Sequence, residues 1–306
     1  MRLMKLVLLC AAALVFGGPV LAEPFDGSVL RGPAIAYDNA PVAPPARLSS
    51  GPAGNMWGGV YVGGSLGIGN AGMNFEGSTS AQITHILRED VVGTHVDDWI
   101  TLGKADNNKT IYGGFVGFNS EWDEIILGAE LNYSRPISKG FYAASSDSIT
   151  RQFNDDAVAP AQHHYFYTAT VGSEANARLI DYATVRARAG VAIDNFLPYA
   201  FGGLALGRAD IYRSATVSYL RHDIPDVVAP PTGPLVPIPD FTFGPQTESD
   251  TKNNTLLYGY AAGLGMDIAL MPNVFVRAEM EYVQFIPAQD VKIHVSTGRV
   301  GVGLKF

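Results

Sequence analysis

Residues 298–306 read GRVGVGLKF. Val300, Val302, Leu304 and Phe306 recur at every second position, with Arg299, Gly301, Gly303 and Lys305 between them. Successive side chains of a strand point to opposite faces, so this stretch is a strand with one apolar face and one charged or empty face. The segment before it, NVFVRAEMEYVQF, sets Val274, Val276, Ala278, Met280 and Tyr282 against Arg277, Glu279 and Glu281. Further upstream, Val185, Ala187, Ala189 and Val191 oppose Thr184, Arg186, Arg188 and Gly190. Tyr260, Ala262, Leu264, Met266 and Ile268 oppose Gly263, Gly265 and Asp267, and Leu127, Ala129, Leu131 and Tyr133 oppose Gly128, Glu130 and Asn132. With TIYGGFVGFN, LPYAFGGLALGRA and the stretch after Trp57, the chain offers eight segments of about the ten residues that a tilted membrane strand requires.

The first segment contains Gly67, Gly69 and Gly72 in the spacing G-x-G-x-x-G, which in another setting lets backbone approach a dinucleotide pyrophosphate. That chemistry needs a helix after the loop, and MNFEGSTSAQ offers no helix start. Here Val60, Val62, Leu66 and Ile68 share one face, and Gly59, Tyr61, Gly63, Ser65, Gly67 and Gly69 the other. Inward glycines at period two make room for long side chains crossing a narrow interior.

Alternation alone also fits a soluble sandwich or lipocalin-like barrel. The connections separate the two. Short turns fall near 120–124, 194–196 and 270–273, whereas roughly 71–108, 138–178 and 210–254 form long connections on the other side, followed by a short one near 286–290. Long loops on one side and short turns on the other are the pattern of outer-membrane barrels, with the long loops outside the cell. The expected fold is all-β, an eight-stranded antiparallel transmembrane β-barrel over residues 57–306.

The N-terminus agrees. Arg2 and Lys5 precede an apolar run to Phe16, a Gly-Gly-Pro break and Val20-Leu21-Ala22, so residues 1–22 read as a secretory signal peptide. Residues 23–56 hold six prolines without helical or strand periodicity and read as a periplasmic tail or linker. Loss of the leader removes Cys10, the only cysteine, which excludes disulfides, thiolate metal sites and cysteine nucleophiles from the secreted product. The chain carries 21 basic and 29 acidic residues; without Arg2 and Lys5 the basic count is 19 and the net charge −10, so nucleic acid is not an expected partner.

WGGVYVGGSLGIG, YGGFVGFN, ILGAELNYS, TVRARAGVA, LPYAFGGLALGRA, YGYAAGLGMDIAL, VFVRAEMEY and RVGVGLKF resemble the strands of the Gram-negative opacity-type, or porin-family, eight-stranded outer-membrane proteins. The resemblance implies an OmpA-like barrel and a surface-exposed protein of the cell outer membrane, some members being called porins, antigens, adhesins or haem binders. Terminal Phe306, with Leu304, Val302 and Val300, resembles the signal read by the barrel-assembly machinery. The partners this implies are that machinery, outer-membrane lipid and lipopolysaccharide, and a host or surface ligand at the loops.

An eight-stranded barrel is just wide enough for its own side chains to fill. The expected inward charges are Arg186, Arg188, Arg277, Arg299 and Lys305 against Glu130, Asp267, Glu279 and Glu281, a network that pairs across the lumen and performs no catalysis. A structural or surface-interaction role follows. One alternative is a narrow porin passing ions along this polar column. Another is haem or metal binding at HHYFYT, where His163, His164, Tyr165 and Tyr167 lie in the second outer loop, although adjacent histidines lack a specific metal-site spacing. No metal or cofactor is assigned from the sequence. His294-Val295-Ser296 places a histidine and a serine on one lipid-side face without an evident carboxylate to orient the histidine, and no enzymatic activity is expected. The loops, with VVAPPTGPLVPIPDF in the third, are expected to be solvated and extended and not a packed domain.

Overall fold

The computed structural model describes residues 56–88, 102–226 and 236–306, together with Val92, Val96 and Trp99. The expected signal peptide, all of the tail except Met56, His95, and residues 227–235 of the proline segment lie outside the described residues. Among the described residues, nine strands and one helix form in the order β1 (Gly59–Asn74), α1 (Ser80–Leu87), β2 (Lys104–Trp122), β3 (Ile125–Pro136), β4 (Phe141–Asn154), β5 (His163–Val191), β6 (Phe196–Pro225), β7 (Phe241–Met271), β8 (Val274–Phe285) and β9 (Lys292–Lys305).

All pairings are antiparallel between neighbours. β1 pairs with both β2 and β9, and β3 pairs with β5, so eight strands close a ring and β4 stands outside it. Closure begins where the sequence signal is strongest: Val62 faces Leu304, and Leu66 faces Val300. The outer surface carries the apolar set, with Leu264 at 66% and Val300 at 64% exposure. Large aliphatic side chains that open to their surroundings on every strand are stable only where the surroundings are lipid. Exposed Tyr112, Tyr133, Tyr258, Tyr260 and Tyr282 gird this belt on one side, and Trp122, Phe196 and Phe306 on the other. Aromatic rings with one polar end settle at membrane–water boundaries, which sets the position of the barrel in the bilayer.

The inward glycines do what their period predicts. A Cβ on Gly63 would stand 2.2 Å from the Phe115 ring, and one on Gly117 would stand 2.3 Å from the Tyr61 hydroxyl. Each missing side chain is filled by an aromatic ring from a facing strand, and the G-x-G-x-x-G lies wholly within strand β1.

Three expectations need correction. The first is the absence of a helix start in MNFEGSTSAQ, since α1 begins at Ser80 within that stretch. β5, β6 and β7 run for 29, 30 and 31 residues, far beyond the ten needed to span, and β4 is a ninth strand built from the second loop. The described parts of the second and third loops are therefore mostly sheet and not solvated coil. They continue the sheet out of the membrane as a four-stranded protrusion, order β7-β6-β5-β4. One face of it is apolar: alternate residues Tyr165, Tyr167, Ala169, Val171 and Ala175 of β5 and Ile211, Ala215, Val217 and Tyr219 of β6 are buried. Phe75, Ile83 and Leu87, from the start of the first loop and α1, pack against the same cluster, as do Val92 and Val96. Arg213 fastens the assembly, donating to the Ser78 carbonyl at 2.9 Å, the Gln289 carbonyl at 3.2 Å and Asp250 at 2.9 Å.

The terminal residue adds a ring-closing bond, the Phe306 amide donating to the Val60 carbonyl at 2.8 Å. Deleting Phe306 is expected to remove that bond and the last outward aromatic, and to lower the yield of assembled barrel in cells. Heat-modifiable electrophoretic mobility measures it, and wild-type barrel levels would count against an assembly role.

Candidate functional site

Inside the barrel the charged residues converge from β3, β5, β7, β8 and β9. Arg186 on β5 bonds Glu130 on β3 through both Nε and Nη2, and reaches Glu279 at 2.7 Å and Glu281 at 3.2 Å on β8. Arg277 forks onto Asp267 at 2.8 and 3.0 Å and donates to Glu130 at 2.6 Å. Arg188 donates to Asp267 at 2.8 Å, and Arg299 to Glu279 at 2.9 Å while lying 3.0 Å from Glu281. Four guanidiniums meet four carboxylates, and every one of these side chains is at most 2% exposed. Buried charges are tolerated when paired and hydrogen-bonded, and the planar fork of arginine lets each cation serve two or three anions.

Neutral groups complete the set: the Tyr61 and Tyr199 hydroxyls donate to Glu130 and Glu279 at 2.7 Å each, and Arg299 donates to Asn132 and Ser134 at 3.0 Å. The ninth expected member, Lys305, is not part of this network. It sits near the periplasmic rim with its ammonium on the Met56 carbonyl. Position 305 has the correct parity but is the last residue of β9, beyond the reach of the central charges.

The charged layer is closed on both sides. Towards the periplasm, Trp57, Tyr61, Phe115, Ile126, Leu197, Tyr199, Phe201 and Phe275 form an apolar cluster. Arginine planes lie on its rings, Arg188 at 3.8 Å from Tyr199, Arg186 at 4.0 Å from Phe201 and Arg277 at 4.1 Å from Phe115. Towards the outside, Met73, Ile111, Phe141, Leu179, Tyr182 and Phe285 are fully buried and continuous with the core of the protrusion. Sequence parity identified which residues point inward, but the levels at which the inward residues meet depend on strand stagger, which parity does not encode.

At the far end of the protrusion the four aromatic and histidine candidates separate. His163 and His164 are neighbours on β5 and project to opposite faces. His163 Nδ1 is 2.8 Å from Asp223, whereas His164 lies between Asp156 at 2.6 Å and Asp226 at 3.1 Å. Tyr165 and Tyr167 are buried in the apolar face: Tyr167 stacks on Phe153 at 5.3 Å and Tyr219 on Phe243 at 5.0 Å, with Arg221 over Tyr165 at 4.3 Å. The two histidines therefore do not converge on one ligand, and the tyrosines serve packing. Among the described residues no group of three or more His, Cys, Asp or Glu is placed to hold a metal.

His164 is held by carboxylates, first by its hydrogen bond to Asp156, and its pKa is raised above 6.5. A raised folded value means that its contribution to the tip is complete below the unfolded pKa and is lost as pH rises through the folded one. Protease protection of the β4–β5 connection is expected to fall as pH climbs above about 6.5, and His164→Gln should flatten the profile. A profile unchanged by the substitution would remove His164 as its source.

On the outer face of the barrel, His294 is half-buried and Ser296 exposed. The side chains of His294 and Asp106 both lie over Gly72, which pairs with Asp106 of β2 on one side and with His294 of β9 on the other: a Cβ there would stand 2.4 Å from His294 Nε2 and 2.8 Å from Asp106 Oδ1. Sequence reasoning missed that carboxylate because it is 188 residues away and only barrel closure brings it near. Neither Asp106 nor Ser296 forms a described hydrogen bond with the histidine.

An apolar belt between two aromatic girdles, around a closed eight-stranded ring with a neutralised interior, defines an integral outer-membrane barrel protein. Residues 43–306 match the family model described as outer membrane protein beta-barrel domain, and the chain belongs to that family. This bears out the resemblance carried by the eight strand segments, and the location is the outer membrane. No curated protein matches the chain. Among solved structures, the attachment invasion locus protein Ail of Yersinia pestis is 15% identical over 81% of this chain and 99% of that one, with a TM-score of 0.31. Neisserial surface protein A is 13% identical over 81% and 97%, with a TM-score of 0.32. The N-terminal β-barrel domain of Pseudomonas aeruginosa OprF is 13% identical over 79% and 97%, with a TM-score of 0.26. Similarity at this level transfers no function.

Proposed function

We propose that the protein is a non-conducting outer-membrane anchor that holds a rigid β-sheet above the cell surface for interaction with other molecules. One observation carries this reading: the lumen is filled by paired charges between two apolar layers, while three barrel strands continue outward into a packed, four-stranded sheet. Ion flow would require separating arginines from carboxylates and opening two apolar layers, each a barrier of several kcal/mol. A sheet that buries its own apolar face holds its shape without a partner, and is therefore suited to display. No catalytic role is assigned, because the outward His294 and Ser296 lack the mutual hydrogen bonds that activate a nucleophile.

The test is single-channel recording of the refolded protein in a planar bilayer, with Glu279→Gln alongside. The expected result is silence from both at moderate voltage. Discrete current steps altered by the substitution would replace this reading with a narrow, charge-selective porin.

A further inference from the structure

The lipid-facing surface of the barrel continues into the protrusion. Along β6 the even-numbered residues from Leu204 to Ser218 stay on one face, while Ala205, Ala209, Ile211, Ala215 and Val217 are buried behind them. Phe75, Ile83, Leu87, Val92 and Val96 pack on the buried side, so the described residues of the first loop lie behind the sheet and not on this face. The face stands directly above lipid-facing strands. Its nearest neighbours are therefore the heads of the lipids that cover the belt.

Its chemistry changes with height in a fixed order. Leu204 and Leu206 lie in the apolar belt, paired with Tyr260 and Tyr258 of β7. The next residue of the face, Arg208, pairs with Asp181. Arg135 stands at that height, one residue beyond the Ser134–Tyr182 pair, and Arg178 pairs with Asp210 one row further out. Above them come Ser214, Thr216 and Ser218, flanked by Thr170 of β5 and Thr247 of β7. The hydroxyl pairs Thr216–Thr247 at 2.7 Å and Thr150–Thr170 at 2.8 Å are exposed. Glu174, beside Ser214, is the one acid between the arginines and these rows.

The cationic level is built and not incidental. Asp181, with a side chain 4% exposed, accepts the Tyr133 hydroxyl at 2.9 Å and holds Arg208 through Nε at 2.8 Å and through Nη2. That fixes the guanidinium and leaves Nη1 for a ligand. Arg135 is exposed and makes no ion pair among the described residues. Three arginines against Asp181 and Asp210 leave one positive charge in excess at the boundary where lipid phosphates lie. Higher up the face is neutral. A hydroxyl both donates and accepts, so rows spaced about 4.8 Å across strands and about 6.6 Å along them suit an uncharged, polyhydroxylated chain.

Apolar, then cationic, then hydroxylated is the order of groups along a lipid that carries acyl chains, phosphate and sugars. We infer that this face is a docking track for one phosphorylated glycolipid of the outer leaflet, with its acyl chains on the belt, its phosphate at Arg135 and Arg208, and its sugar chain along the hydroxyl rows of the protrusion. The inference rests on the surface-display reading and names one partner of the displayed sheet.

The test is native mass spectrometry of the mature protein refolded in detergent micelles, with folding verified by heat-modifiable mobility. The probes are lipopolysaccharide carrying its core sugars, lipid A without them, and the same lipid A after removal of its phosphates. Affinity is expected to fall in that order, by about tenfold at each step, the size of one charge-assisted or two neutral hydrogen bonds. Arg135→Gln should weaken both phosphorylated lipids and leave the dephosphorylated one unchanged. Thr170→Val combined with Thr216→Val keeps β-branched side chains in the strands and should erase only the advantage of the sugar-bearing lipid. Equal affinity for the three lipids, or variants that bind as the wild type does, overturns the inference. So does released core oligosaccharide that binds as tightly as intact lipopolysaccharide, because the partner would then be a free glycan. Silent, folded barrels that do not discriminate among the lipids leave the display role standing, whereas channel currents overturn that role whatever the lipids show.

Discussion

Arg186→Met is expected to cost roughly 3–5 kcal/mol of barrel stability, the range for removing one partner from a buried ion pair. Arg186 answers Glu130, Glu279 and Glu281 together, and its side chain is 1% exposed. Its loss leaves four carboxylates facing three guanidiniums where water does not reach. Methionine replaces the volume, so packing loss is the smaller effect. Arg186→Lys should recover only part of the stability, because an ammonium is a point charge and lacks the planar fork that serves several carboxylates. Adding Glu281→Gln to Arg186→Met should also recover part, by removing the uncompensated charge. Urea unfolding from lipid vesicles, followed by tryptophan fluorescence, measures each. A loss below about 1 kcal/mol for Arg186→Met would show that the remaining arginines redistribute at little cost and that the network is not a structural keystone.

Tyr167→Ala tests the other half of the molecule. Tyr167 is 2% exposed and contacts the rings of Phe153, Tyr165 and Tyr219. Removing a buried aromatic side chain is expected to cost about 3 kcal/mol or more. The effect should stay local, because above the rim, among the described residues, β5 pairs with β4 and β6, and β6 with β5 and β7, and not with the barrel's other strands. Hydrogen exchange is the measurement: amides of 163–171 should lose protection while those of 183–191 keep theirs. Equal loosening of both segments would show that protrusion and barrel unfold as one unit.

The barrel was legible because a membrane imposes a simple rule. Every spanning strand must show one face to lipid and the other to the interior, so Val300, Val302 and Leu304 against Arg299 and Gly301 name their surroundings directly. The protrusion obeys the same alternation, yet Tyr165, Tyr167, Ala169 and Val171 were read as loop. Their outward neighbours are His164, Thr168 and Thr170, polar residues that match a loop composition as well as they match a solvated sheet face. Nothing in that stretch says where the membrane ends and the strand does not.

Composition and period by themselves determined the number of membrane strands, which residues point inward, and the balance of charge between them. Those properties are local: each follows from side-chain parity along one strand. Only the tertiary structure decided that Lys305 misses the network, that Arg186 meets three carboxylates, and that Asp106 and His294 come together over Gly72. Each of these depends on strand stagger and ring closure, which bring together residues separated by up to 188 positions, and spacing along the chain carries no information about that distance.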